Sequence, residues 1–104
     1  MSLKIQKDFA TIQNEIMEII KRSPIYDSIE SVSIFGSYAK GLQKDDSDID
    51  VLVVLNKPVG FDFLRLEYAL TDKIGVKIDL IAESALSPYL KNEITKSKKT
   101  IYTN

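Results

Sequence analysis

The sequence predicts a small α/β (α+β) domain in which helices pack on a mixed β-sheet. Three features of the pattern lead there. Apolar residues recur at intervals of three and four near the start of the chain and again past its middle. Three short runs rich in β-branched residues lie between and after those stretches. Gly, Pro and Asn mark the junctions. A length of 104 residues fits one domain spanning 1–104, and an apolar share of 44% is enough for a packed core.

Ile5, Phe9, Ile12, Ile16, Ile19 and Ile20 fall at helical spacing among polar residues, which predicts an amphipathic helix from about Lys4 to Lys21, ended by Ser23-Pro24. Met17 adds a second apolar edge, explained equally by core burial or by a dimer or partner surface. Ser31 to Phe35 alternates polar and apolar residues and reads as a strand. Gly36 to Gly41 then forms a turn or a single helical turn, and Gln43 to Ser47 a polar loop. Ile49 to Leu55 is nearly continuous in apolar residues, the pattern of a central strand, and Asn56-Lys57-Pro58 stops it.

Phe63, Leu66, Leu70 and Ile74 share one face of a second helix, for which Asp62 is the expected N-cap and Gly75 the residue just past the end. Val76 to Ile81 is a third strand carrying one acidic residue, Asp79. Ser87-Pro88 supplies an N-cap and first-turn proline for a last helix with Tyr89, Leu90 and Ile94. The tail KSKKTIYTN either adds a short strand or frays, and Lys96, Lys98 and Lys99 read as a solvated helix end. The strand order does not follow from this pattern.

Composition removes several function classes. There is no cysteine and no histidine, so a disulfide framework is excluded, the residues that usually bind zinc are missing, and a metal is expected to be a hard cation on oxygen ligands. A net charge of −1 argues against a general nucleic-acid binder. The longest clean apolar run, Val51 to Leu55, falls far short of the ~20 residues that cross a bilayer. The start MSLKIQKDFA lacks a signal-like apolar stretch, so a cytoplasmic location is the default expectation.

Acids stand where apolar strand residues are expected. Side chains two apart on a strand share a face, so Asp48 and Asp50 form a pair with Ile49 on the other side. In the third strand Val76, Ile78 and Leu80 share one face, and Asp79 lies opposite with Lys77 and Ile81. If these two strands are neighbours, Asp79 joins the pair, and carboxylates that close repel unless a cation separates them. Oxygen-only ligation favours Mg²⁺ or Mn²⁺. Taken singly, each acid has a plain explanation: a turn residue at Asp48, a solvated or Lys77-paired carboxylate at Asp79. A calcium loop built on Asp46, Asp48 and Asp50 fails, because Val51 and Lys57 occupy its glycine and glutamate positions. Gly36-Ser37, following a strand, adds a place where backbone N–H groups and a hydroxyl can cradle an anion. A phosphate cradle with three carboxylates is the equipment of phosphoryl or nucleotidyl transfer.

Gly36-Ser37, ten residues, then Asp48-Ile49-Asp50, with Asp79 on a later strand, resembles the signature of the DNA polymerase β-like nucleotidyltransferase superfamily. The chain looks like one of its minimal nucleotidyltransferases (MNT). Tyr38 and Lys40 stand where many members place arginines, so Lys40 meets a phosphate as a point charge rather than a bidentate fork. The resemblance implies catalytic, metal-binding roles for Asp48, Asp50 and Asp79 with two Mg²⁺ ions, Mn²⁺ being the alternative. It implies nucleotide binding by Gly36, Ser37 and Lys40. It also implies ATP as substrate and transfer of AMP to a tyrosine of a HEPN-domain toxin, the chain acting as the antitoxin in a heteromeric complex. Two other readings stay open: a non-catalytic module that neutralises its toxin by contact, and nucleotidyl transfer to a small hydroxyl compound. Self-modification at Tyr38 or Tyr102 is a minor variant.

Overall fold

The computed structural model describes residues 8–36, 39 and 48–104. Helix α1 (Phe9–Lys21) starts at Asp8, whose carboxylate accepts the Thr11 N–H at 2.8 Å as an N-cap. The expected beginning near Lys4 lies outside the described residues. Ile12, Ile16 and Ile20 repeat every fourth residue and are fully buried, and Met17 joins them in the core rather than forming an outward face.

Four strands make one sheet: β1 (Ile29–Phe35), β2 (Ile49–Leu55), β3 (Ile78–Ala82) and β4 (Lys99–Thr103), in the order β3-β2-β1-β4. β1 runs antiparallel to both β2 and β4, whereas β3 runs parallel to β2. Helix α2 (Asp62–Ile74) makes the crossover that a parallel neighbour requires. Gly75, in the left-handed region at φ 79°, ends it as expected. Asp62 is not its N-cap. Phe61 holds that place and makes no side-chain cap bond; Asp62 is the first helical residue and pairs with Arg65 at 3.3 Å, one turn on.

β1 begins two residues before the expected Ser31, because Ile29 finds Leu55 across the ladder, and β3 begins at Ile78 rather than Val76. The tail forms β4, so Lys99 belongs to a strand and not to a helix end; its ammonium stands 5.3 Å from the centre of the Phe9 ring. Helix α3 (Pro88–Thr95) starts where expected, with Ser87 accepting the Leu90 N–H at 3.3 Å.

The core lies between the helices and one face of the sheet. Ile12, Ile16 and Ile20 of α1 and Leu66, Leu70 and Ile74 of α2 pack with Val32, Ile34, Ile49, Val51, Val53, Ile78 and Leu80. These strand positions alternate, so Asp50, Leu52 and Asp79 emerge on the opposite face. Among the described residues no helix is long and apolar enough to cross a membrane.

Candidate active site

The acidic row follows from strand register. Phe35 of β1, Asp50 of β2 and Asp79 of β3 are direct partners across three adjacent strands. The residues next to them, Ile49 and Ile78, also pair and are buried toward the helices, which fixes the two carboxylates on the other face. Asp48 comes just before β2, two residues from Asp50, and Lys77 stands two before Asp79. The Ile49 N–H donates to the Lys77 carbonyl at 3.0 Å and so holds that end of the two strands in register.

Electrostatics mark Asp50 as the crowded member. Burial pushes its carboxyl above the usual carboxylate range, and Asp79 and then Asp48 push it further. Lys77 answers the other two: its Nζ lies 3.8 Å from Asp48 Oδ2 and 4.0 Å from Asp79 Oδ1. Among the described residues no lysine or arginine pairs with Asp50. The donors are all carboxylate oxygens on one sheet face, and that chemistry fits a hard divalent cation. As they stand, no three acidic groups among the described residues share a metal-sized position.

Gly36 ends β1 at φ 74°, in the left-handed region. Its missing side chain leaves room for a neighbour: a Cβ built there would run into Asp50 Oδ2 and stand 3.3 Å from Asp50 Cγ. The sequence suggests a glycine that lets a ligand come close; what comes close is the Asp50 carboxylate. Ser37 and Lys40, the other expected nucleotide-binding residues, lie outside the described residues.

Two residues that sequence reasoning passed over hold Asp79 in place. β3 is an edge strand, so the N–H groups of Ile78 and Leu80 point away from β2. Thr71 Oγ1 accepts the first at 3.0 Å and Glu67 Oε2 the second at 2.8 Å. These α2 side chains, four residues apart, bracket Asp79 and satisfy an edge that would otherwise be open. Their spacing beside the buried Leu66-Leu70-Ile74 stripe is visible in the sequence, but their partners are not until the strand order is known. A cavity of about 600 Å³ lies elsewhere, between α1 and α2, lined by Glu18, Ile19, Arg22, Leu66, Lys73 and Ile74 among others, and Asp48, Asp50 and Asp79 do not line it.

Residues 14–104 match the family model of the polymerase beta nucleotidyltransferases. The chain belongs to that family. Nucleotidyltransferases of this kind generally use a divalent metal. This nucleotidyltransferase is 41% identical, over 68 residues, to a candidate protein adenylyltransferase of Methanocaldococcus jannaschii, a match covering 64% of this chain and 69% of the relative. It is 37% identical over 59 residues to the protein adenylyltransferase MntA of Thermococcus cleftensis, covering 56% and 60%. Among solved structures it resembles a candidate minimal nucleotidyltransferase, with TM-score 0.76 and 27% identity over 92% of this chain and 98% of the other. It shares the fold of a chain in a Shewanella oneidensis complex of a tri-AMPylated HEPN toxin with its MNT antitoxin. There the TM-score is 0.71 at 18% identity, over 91% and 72% of the two chains.

Proposed function

We propose that this nucleotidyltransferase moves AMP from ATP to a tyrosine hydroxyl of a HEPN-domain partner and thereby acts as an antitoxin in the cytoplasm, its single domain spanning 1–104. The reading rests on one observation above others, the registration of Asp50 against Asp79 on adjacent strands with Asp48 beside them. It draws support from relatives named as protein adenylyltransferases and from a solved toxin–antitoxin complex with AMP-PNP that has the same fold.

Asp48, Asp50 and Asp79 would hold two Mg²⁺ ions, or Mn²⁺ in their place. Such ions, when bound, neutralise the carboxylates and stabilise charge on the entering and leaving oxygens of an in-line displacement at phosphorus. By the family resemblance, Asp79 would receive the proton of the attacking tyrosine hydroxyl. The Gly36 N–H, Ser37 and Lys40 bind and orient the triphosphate, so that pyrophosphate leaves as the new phosphodiester forms. A cation shared by the acids would keep them ionised despite the burial of Asp50 and the repulsion of its acidic neighbours.

The test is transfer of label from ATP to a purified HEPN-domain protein with Mg²⁺ present. Label is expected on the partner from α-labelled but not γ-labelled ATP, and Asp50→Asn should abolish it while the chain stays folded. Partner binding without label would replace this reading with inhibition by contact; label on a small hydroxyl compound alone would replace it with small-acceptor transfer.

A further inference from the structure

We infer that Lys77 is a built-in competitor for the divalent cation, an ammonium that holds Asp48 and Asp79 together and must leave both before they can ligate. The inference rests on the metal role just proposed for the acids. Its basis is placement. The bond from Ile49 N–H to the Lys77 carbonyl sets Lys77 across from Asp48, and the strand alternation puts its side chain on the face of Asp79. Its Nζ therefore stands between oxygens of both acids, at 3.8 and 4.0 Å.

Two further features fit a removable cation rather than a permanent strut. Both contacts are longer than hydrogen bonds, and the Lys77 side chain is 67% exposed, so the pairs are weak and the ammonium can swing into water. Two of the three acids point an oxygen at Lys77, and among the described residues no three share a metal-sized position. A dication entering the row has to win those oxygens from the lysine. Without Lys77 the row would carry one more uncompensated negative charge and attract a dication more strongly. The expected gain is about 3- to 10-fold in affinity, from the Coulomb interaction at a few Å in water reduced by salt.

The experiment is Mn²⁺ binding to the full chain without nucleotide, followed by electron paramagnetic resonance or calorimetry. Lys77→Met should bind Mn²⁺ tighter than the parent by that factor, and Lys77→Arg, which keeps the charge, should stay near the parent. Lys73→Met, which removes a charge from the α1–α2 cavity instead, should leave binding unchanged. Equal, measurable Mn²⁺ binding by parent and Lys77→Met overturns the inference alone, as does equal tightening by Lys73→Met. Absence of Mn²⁺ binding in every variant overturns it together with the metal role of the acids.

Discussion

Replacing Gly36 by alanine tests whether the backbone at the end of β1 is shaped around Asp50. The substitution adds one methyl group and acts twice. A residue with a Cβ held at φ 74° costs about 1–2 kcal/mol in the left-handed region. The new Cβ would also clash with Asp50 Oδ2, so the carboxylate must shift off its rotamer, at a further ~0.5–1.5 kcal/mol. Gly75 provides the control, since it has φ 79° but nothing lies within 4 Å of a Cβ built there. Gly75→Ala therefore bears the backbone cost alone. At roughly 4–8 °C per kcal/mol for a domain near this size, Gly36→Ala should melt ~10–20 °C below the parent and Gly75→Ala about half as far below. Activity should separate them more sharply. If Asp50 has the proposed catalytic role, displacing its carboxylate by about 1 Å lowers turnover ~10²-fold, whereas nothing lies within 4 Å of a Cβ built at Gly75. Thermal melts paired with α-labelled ATP turnover read both effects. A Gly36→Ala protein that melts with Gly75→Ala and turns over like the parent would refute the claimed contact with Asp50.

Burial and two neighbouring acids raise the Asp50 pKa in the fold. Such a group adds stability while protonated and loses it as pH rises through the folded value, so its charge destabilises the cation-free fold at neutral pH. Asp50→Asn should then melt above the parent in EDTA at neutral pH, with the gap closing as pH falls below the ordinary carboxyl value of 3.8; a lower melting temperature at neutral pH would contradict this. Glu67→Ala removes the carboxylate that accepts the Leu80 N–H and should lower stability by ~1–2 kcal/mol in urea unfolding. Glu67→Gln keeps an oxygen acceptor and should recover most of that loss; if both variants behave alike, the bond does not hold β3. Because the same bond brackets Asp79, Glu67→Ala should also lose turnover beyond the fraction unfolded, measured well below its melting point.

The side-chain alternation of a strand is a local property, so the sequence alone determined that Asp48 and Asp50 share a face and that Asp79 lies opposite Ile78 and Leu80. The repeats of Ile12-Ile16-Ile20 and Leu66-Leu70-Ile74 determined two helices and their buried stripes in the same way, and Gly75 its helix end. Register and strand order are set by contacts between distant segments, and only the tertiary structure decided them. The packing of α2 against β3 brings Asp79 level with Asp50; a shift of one residue would have turned it into the core. The half-polar KTIYT became β4 because the free edge of β1 supplies its hydrogen bonds, which no property of those five residues announces. For the same reason the close fit of Gly36 against Asp50 and the hold of Glu67 and Thr71 on β3 were invisible: each joins residues whose nearness exists only after the sheet has formed.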